Sequence, residues 1–329
     1  MIPSREEIMA VAKKLDPNRP IVVITPVNRY LGFSAPLVPT DQFGAIAKNW
    51  GFPVIFKDPQ KLHIELDPDN LPKICDENGE VNGSVYFPFG HSLLDRTMVM
   101  MIVTALEKSG ASVINGSKAL TIADDKALMA IALSNNKDIP TAKSAVTSAR
   151  SSSAKIIDFL TESQDETLIA KMSGFTAGGV GIQPIPADVN YLAPAMWLSR
   201  MNERPRVIQN DVDKSSANEP RTVIRAYVVG GEVVGCYTTK GYGIVNCAGL
   251  ARESEGVLYE ASKEEKEVFV KAAAAVQCSG FCRIDAVGNK KLSILEINPL
   301  ARIDAEKYGL QIAEEILWYA AKLAISKQI

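Results

Sequence analysis

Two pairs of strand-like segments in the last part of the sequence constrain the fold most. TVIRAYVV and EVVGCYTT, residues 222–229 and 232–239, are separated by two glycines, which is typical of a two-residue hairpin turn. FCRIDAV and LSILEIN, residues 281–287 and 292–298, flank a second turn. Strands joined by such short turns predict an antiparallel sheet at the C-terminal end of the chain.

The earlier part of the sequence has a different pattern. Residues 21–27, 53–56 and 84–89 are rich in β-branched and aromatic residues, and helical spacing occurs at residues 41–49 and 93–108. Strands that alternate with helices predict a small parallel sheet covered on both faces. Between the two parts, short strands and a helix at about residues 124–189 suggest a small separate lobe. The predicted class is therefore α/β with α+β lobes.

Composition excludes several classes of function. The sequence has 36 Lys and Arg against 38 Asp and Glu, and this balance supports neither a nucleic-acid partner nor a membrane surface. The five cysteines are irregularly spaced, which argues against a disulfide framework. The sequence has no apolar run long enough to span a membrane, and we expect a cytoplasmic protein.

A cluster of polar residues in the C-terminal strands indicates a metal site. Asp285 lies near the end of one strand, and Glu296 and Asn298 lie on the strand predicted to pair with it. A two-residue period places Glu296 and Asn298 on the same face, with Asp285 across from Glu296 or its neighbour. Two carboxylates and an amide oxygen are ligands that suit Mg²⁺. The alternative is a solvated polar face on an edge hairpin.

A glycine-rich segment follows a strand in the middle of the chain. In KMSGFTAGGVG, residues 171–181, Lys171 ends the strand and a new strand begins near Val180. Backbone N–H groups of such a loop can bind phosphate, and the lysine adds a positive charge. The spacing matches neither the P-loop nor the dinucleotide-binding motif. The alternative is a flexible hairpin.

Taken together and in order, these segments resemble the ATP-grasp superfamily, and in particular its RimK-like carboxylate–amine ligases. The resemblance rests on SVINGSKALTIADDKALMAIALSNNKDIPTAKS, LIAKMSGFTAGGVGI, VIQNDV, IRAYVVGGEVVG, IVNCAG, IDAV and LEINP. It implies an ATP-grasp fold with a Rossmann-like N-terminal domain at residues 1–120. A small central lid domain at 121–205 and a C-terminal antiparallel-sheet domain at 206–329 would follow.

The resemblance also implies roles for individual residues. The nucleotide would be bound by two lysines, a loop and a hinge strand: Lys126, Lys171, Ser173, Gly174, Thr176, Gly178, Gly179, Gln209, Asn210, Asp211 and Val212. The magnesium ligands would be Asp285, Glu296 and Asn298. Residues near the transferring phosphoryl group and the substrate would be Arg225, Lys240, Asn246 and Arg302, the last orienting a substrate carboxylate.

The activity implied by the resemblance is an ADP-forming carbon–nitrogen ligation. ATP with Mg²⁺, or with Mn²⁺ in its place, would convert a carboxylate to an acyl phosphate, and an amine would then form the amide. Acid and amine could be small molecules or peptide groups, as in peptide-crosslinking relatives, and a homo-oligomer is compatible with the resemblance.

Two departures from the family pattern leave an alternative open, a non-catalytic nucleotide-binding or scaffold protein of the same fold, although the intact metal ligands and both lysines speak against it. Asn210 stands where the hinge usually has a glutamate, and Ile244 stands where an arginine is expected. A nicotinamide-dependent oxidoreductase is disfavoured, because no glycine fingerprint follows the first strand. A Ser-His-Asp hydrolase is also disfavoured, because neither histidine has a nucleophile motif beside it.

Overall fold

The computed structural model describes residues 4–26, 40–89, 93–148, 150–162, 167–173, 182–201, 204–212, 220–242, 257–278, 280–288, 292–301 and 309–326. The helices are α1 Arg5–Ala12, α2 Thr40–Trp50, α3 Leu93–Lys108, α4 Ser117–Asp124, α5 Lys126–Ser134, α6 Ser153–Leu160, α7 Val189–Met201, α8 Lys263–Ala275 and α9 Gly309–Ser326, with a 3₁₀ turn at Pro59–Lys61. The strands are β1 Ile21–Ile24, β2 Val54–Lys57, β3 His63–Glu65, β4 Lys73–Asp76, β5 Gly79–Glu80, β6 Val85–Pro88, β7 Ser144–Thr147, β8 Thr167–Met172, β9 Ile182–Pro186, β10 Arg206–Asn210, β11 Pro220–Val229, β12 Glu232–Tyr242, β13 Val257–Leu258, β14 Phe281–Val287 and β15 Ser293–Asn298.

A small parallel sheet forms the N-terminal part, as the sequence pattern predicts. Its strand order is β2-β1-β6, and both pairings are parallel. All four residues of β1 are buried, and alternate ones enter different apolar clusters. Ile21 and Val23 pack with α2 and α9, while Val22 and Ile24 pack with α3. Burial on both faces explains why this strand is a continuous apolar run.

A second, antiparallel sheet of short strands lies beside the first, in the order β3-β4-β5. Ile64 and Ile74, which pair across β3 and β4, belong to the cluster that contains Ile102 of α3. The residues that alternate with them, on the outer face, are mostly polar. The sequence pattern did not predict this sheet, because only one or two residues of each strand face the apolar cluster.

The middle part contains an antiparallel sheet in the order β7-β10-β8-β9. Leu168, Ala170 and Ile208 pack on one of its faces with residues of α6 and α7. Strand β10 begins at Arg206, just after the domain boundary expected from the sequence, yet it pairs with β7 and β8 from the preceding segment. The sheet thus joins distant segments and places the start of the glycine-rich loop at the end of β8.

The C-terminal sheet has the order β13-β12-β11-β14-β15 and is antiparallel throughout, as predicted. Gly230 and Gly231, at the turn between β11 and β12, have φ of 59° and 81°, a conformation that glycine adopts at low cost. Helix α8 packs on one face and begins with a capping box formed by Ser262 and Glu265. Helix α9 packs on the other face.

Asn115 joins the N-terminal part to the C-terminal sheet. Its buried side-chain amide donates to the carbonyls of Phe281 and Pro299, and its Oδ1 accepts from Phe281 N–H at 3.2 Å. Asn115 has φ of 61°, in the left-handed region where asparagine is tolerated better than most residues. Phe281 also packs edge-on against Phe87 of β6. One asparagine therefore satisfies backbone groups at the junction of the two parts.

We predict that Asn115→Ala lowers the free energy of unfolding by about 3 kcal/mol, because buried backbone groups lose their partners and because alanine is strained at positive φ. Asn115→Gly loses the same hydrogen bonds without that strain and should be about 1 kcal/mol more stable than the alanine variant. Urea unfolding measures both variants. Two variants that both match wild type would contradict this account of the junction.

Candidate active site

Strand register places three charged residues in a row across the C-terminal sheet. Asp285 of β14 lies directly across from Arg225 of β11 on one side and from Glu296 of β15 on the other. Residues one step along the strands, such as Ile284, Ala226 and Ile297, face the apolar cluster against α8. The row therefore lies on the opposite face of the sheet. The predicted juxtaposition of Asp285 and Glu296 is confirmed.

Asp285 is held by two arginines. Arg283, two residues earlier on the same strand, donates from Nε to Oδ1 at 2.8 Å and from Nη2 to Oδ2 at 3.0 Å. Arg225 Nε lies 3.9 Å from Oδ1, and Arg225 is a buried residue. A paired arginine with two parallel hydrogen bonds fixes the orientation of a carboxylate. The carboxylate plane of Asp285 is thus set by its own strand.

Glu296 forms an ion pair with Lys126 at the start of α5. The distance from Nζ to Oε1 is 2.7 Å, and Lys126 is only 5% exposed. Burial by itself raises the pKa of Glu296, but the charge and hydrogen bond of Lys126, with the charges of Lys171 and Arg283, lower it from 4.5 to about 2. The Glu296 side chain keeps 25% of its exposure. It is therefore an ionised carboxylate that is open on one side.

Helix α5 holds Lys126 through its N-cap, Asp125. Oδ1 of Asp125 accepts from the N–H groups of Ala127 and Leu128 at 2.8 Å and 3.0 Å, which satisfies two free donors of the first turn. The preceding residue, Asp124, forms a buried ion pair with Arg96 of α3 at 3.0 Å. Burial raises the pKa of Asp124, while the charges of Arg96 and Lys126 act against that rise. Both aspartates anchor the turn from which Lys126 extends.

Strand β8 places Lys171 and Ser173 beside the same group. Lys171 contributes positive charge at Glu296. Ser173, 1% exposed, donates from its hydroxyl to Asp125 Oδ1 at 2.5 Å, and its N–H donates to the carbonyl of Pro205. Ser173, which directly follows β8 in the glycine-rich segment, is therefore fixed to the N-cap of the helix that carries Lys126. Gly174, Thr176, Gly178 and Gly179 lie outside the described residues.

The predicted hinge lies at the end of β10. Gln209 is buried between β7 and β8. The side-chain Oδ1 of Asn210 is buried, and the described part of the chain offers it no hydrogen-bond partner. The N–H of Asn210 donates to the carbonyl of Lys143, and that of Asp211 donates to the carbonyl of Thr167. These two backbone donors are thus occupied within the protein. Val212, the last predicted hinge residue, is exposed. Adenine recognition by this segment remains a prediction.

Three predicted substrate residues are not placed by the structure. Asn246 and Arg302 lie outside the described residues. The backbone of Lys240 pairs across from Thr222 on β11, and its side chain lies outside what the structure describes. Their roles stay predictions.

The sequence reasoning missed two contributors to the site, Arg283 and Asp125. Arg283 is two residues before Asp285, so the same two-residue period that paired Glu296 with Asn298 places it on the face of Asp285. The contact of Asp125 with Ser173 depends on a fold that brings distant segments together.

The residues at the site fit a magnesium ion. Asp285 and Glu296 present carboxylate oxygens from paired positions, and Mg²⁺ prefers oxygen ligands. The side-chain Nδ2 of Asn298 is buried, and it has no hydrogen-bond partner among the residues that the structure describes. Because an amide can turn its oxygen into the place of its nitrogen, this orphaned position suits a third oxygen ligand.

The charges at the site also suit a polyanion. Lys126, Lys171, Arg225 and Arg283 surround the two carboxylates, so positive side chains outnumber them. The neighbouring Asp124 is already balanced by Arg96. Phosphate groups would bind favourably next to such a surplus of positive charge.

Solved structures define the class of fold. The chain matches ATP-grasp ligase PsnB complexed with a phosphomimetic variant of its minimal precursor, Mg and ADP, with a TM-score of 0.60, 16% identity and coverage of 92% of this chain and 99% of that chain. Macrocyclase MdnC from Microcystis aeruginosa MRC, bound with precursor peptide MdnA, matches with a TM-score of 0.63 and 12% identity, and the match covers 92% of this chain and 99% of that chain. The D-alanine-D-alanine ligase from Coxiella burnetii matches with a TM-score of 0.58 and 15% identity, and the match covers 84% of this chain and 86% of that chain. The fold is therefore that of an ATP-grasp protein.

The family model for the RimK-like ATP-grasp domain matches residues 123–320, and the chain belongs to this family. The expected family and fold class are confirmed. None of the curated proteins matches the sequence. Among the residues that the structure describes, no helix is long and apolar enough to cross a membrane.

The pKa of Glu296 predicts how stability depends on pH. A folded pKa below the unfolded one stabilises the fold above about pH 5, and this contribution is lost as the pH falls toward about 2. In Lys126→Met the pKa of Glu296 should rise to its ordinary value or above. That variant should be less stable than wild type at neutral pH, by on the order of 3 kcal/mol. The difference should shrink as the pH falls from about 5 to about 3.

Urea unfolding at several pH values measures this difference. Lys118→Met, which removes an exposed lysine from α4, is the matched control and should keep the pH dependence of wild type. If Lys126→Met and wild type ran parallel at every pH, the ion pair would not set the pKa of Glu296.

Proposed function

We propose that the protein joins a carboxylic acid to an amine with ATP, through an acyl phosphate, and releases ADP and phosphate. The observation that supports this most is the cross-strand row of Arg225, Asp285 and Glu296, with Lys126 beside it. Such a row places two ionised oxygen ligands among cationic side chains, which suits a metal-bound nucleotide.

The residues at the site divide into three groups by their chemistry. Asp285, Glu296 and the amide oxygen of Asn298 would hold magnesium. When bound, the ion would neutralise charge on the β- and γ-phosphate oxygens. Lys126 and Lys171 would contact phosphate oxygens from the side of α5 and β8, because the charges of both lysines already lower the pKa of the neighbouring Glu296.

Arg225 and Arg283 have a positioning role in this proposal. Both lie against Asp285, and they would keep its carboxylate oriented and ionised. Arg225 is in addition predicted to lie near the transferring phosphoryl group. Positioned positive charge of this kind supplies most of the catalysis in phosphoryl transfer.

Two bond exchanges would make the amide. An oxygen of the substrate carboxylate attacks the γ-phosphorus, and the bond to ADP breaks with its electron pair leaving on ADP. The amine nitrogen then attacks the carbonyl carbon, and the carbon–oxygen bond to phosphate breaks, so inorganic phosphate leaves. The proton that the amine nitrogen loses passes to a nearby carboxylate. An acyl phosphate hydrolyses in water, so the site must be covered during the reaction.

The glycine-rich segment is the proposed cover. The hydroxyl of Ser173, near the start of this segment, donates to Asp125, which precedes Lys126. Closure of the loop would therefore be coupled to the position of Lys126, the lysine proposed to contact the phosphates. Lids of this kind exclude water and complete the catalytic arrangement.

The acid and the amine of this proposal are groups of peptides or of small molecules. PsnB and MdnC were solved with precursor peptides, and the D-alanine-D-alanine ligase is named for a small-molecule product. The pools used in the test below therefore include both.

We predict that incubation with Mg-ATP and pooled acids, amines and peptides yields ADP and inorganic phosphate, and that omission of the pools abolishes both. Phosphorus NMR of the nucleotide products measures this. AMP and pyrophosphate would contradict an acyl-phosphate route. ATP binding without turnover on any pool would favour the non-catalytic alternative, for which the changes at Asn210 and Ile244 are the motivation.

Asp285→Asn tests the metal ligand in the same assay. The substitution keeps the shape of the side chain and removes its charge, and turnover should fall at least about 1,000-fold. Asp138→Asn is the matched control, because Asp138 pairs with Lys271 on the surface, and it should keep wild-type turnover. An active Asp285→Asn variant would contradict the proposal that Asp285 is a metal ligand.

A further inference from the structure

The outer face of the β3-β4-β5 sheet brings three side chains of metal-binding type together. One ligand atom from each of His63, Glu65 and Cys75 lies within 4.8 Å of the others. His63 pairs directly across from Cys75, and Glu65 follows His63 by two residues on the same strand. All three therefore point to the same side of the sheet.

This face is separate from the apolar core. Ile64 and Ile74, which alternate with the three residues, pack in the cluster against α3. Cys75 is only 3% exposed, yet it lies on the outer face and is not part of that cluster. The side chains of His63 and Glu65 are 57% and 59% exposed. The Cys75 thiol thus lies beside two accessible side chains, and His63 Nε2 is 3.5 Å from Glu65 Oε1.

The surroundings of Cys75 are negative. Burial raises the pKa of the Cys75 thiol, and Glu65 and Glu80 raise it further. Glu80 pairs directly across from Cys75 on the other side, in β5. The nearby Asp76 is already engaged by Lys57, and Lys73 lies 3.6 Å from Glu80. A bound cation would offset the repulsion between these glutamates and the thiolate form of Cys75, which is the form that binds a metal.

We propose that His63, Glu65 and Cys75 bind a divalent transition-metal ion, with zinc as the best fit. The donor set of one imidazole nitrogen, one carboxylate oxygen and one thiolate sulfur suits zinc, which accepts all three types. A sulfur ligand disfavours magnesium and calcium, which prefer oxygen. Water or the Glu80 carboxylate would take the fourth position.

The site is independent of the proposed ligase activity. It lies at residues 63–75, outside the family domain at residues 123–320. The metal site proposed for magnesium consists of Asp285, Glu296 and Asn298 and has no sulfur. A sulfur-specific signal therefore distinguishes the two sites.

The test is a cobalt titration of the full chain after treatment with a chelator. One equivalent of Co²⁺ should produce a thiolate-to-cobalt charge-transfer absorption, and Zn²⁺ should displace it. Cobalt bound to the oxygen ligands of Asp285 and Glu296 would give no such band. Absence of the band in the wild-type chain would overturn the proposal.

Two ligand variants and one control variant test the site. Cys75→Ser should lose the band, and His63→Gln should weaken Zn²⁺ affinity at least about tenfold. Cys236→Ala, a buried cysteine on β12, is the matched control and should keep both. A band that persists in Cys75→Ser would overturn the proposal. If circular dichroism shows that Cys75→Ser does not fold, the Zn²⁺ affinity of His63→Gln becomes the deciding measurement, because His63 is exposed. Unchanged Zn²⁺ affinity in His63→Gln would then overturn the proposal.

Discussion

The ion pair between Lys126 and Glu296 is the interaction on which the rest of the site depends. It joins the first turn of α5 to the edge strand β15, and so connects two segments far apart in the sequence. A partly buried carboxylate is costly unless it is paired. Here the pairing is strong enough to bring the pKa of Glu296 to about 2 despite its burial. Glu296 is consequently charged at every pH at which the protein would work.

The neighbouring carboxylates are paired in the same way. Asp285 is oriented by Arg283, and Ser173 reaches Asp125 beside Lys126. Each anionic group is thus held by a cation or a hydroxyl before any nucleotide is present. Preorganised charges of this kind lose little free energy to rearrangement when a ligand arrives. The proposed ligase function is built on that property rather than on any single residue.

Local patterns in the sequence were sufficient for much of the fold. The two-glycine turn, the capping box of α8 and the alternation in β14 and β15 each depend on residues a few positions apart. The facing positions of Asp285 and Glu296 followed from the same alternation. The family resemblance added Lys126, which the residues alone would have left as a surface lysine.

Other features depend on contacts between distant segments, and the sequence could not reveal them. Strand β10 reads as the start of the last domain, but its pairing with β7 and β8 places it in the middle sheet. Helix α7 contains Pro194, which removes a backbone donor and obscures the helical pattern. The sheet of β3 to β5 is too short and polar to be recognised. The cluster of His63, Glu65 and Cys75 on that sheet was missed for the same reason.

The central claim is that Asp285 and Glu296 form a magnesium-dependent nucleotide site. Calorimetric titration with the non-hydrolysable analogue AMPPNP, with Mg²⁺ or with a chelator, tests it most directly. Wild type should bind AMPPNP at least about tenfold more tightly with Mg²⁺, and Glu296→Gln should lose that difference. Equal affinity with and without Mg²⁺ in wild type, or no binding under either condition, would contradict the account.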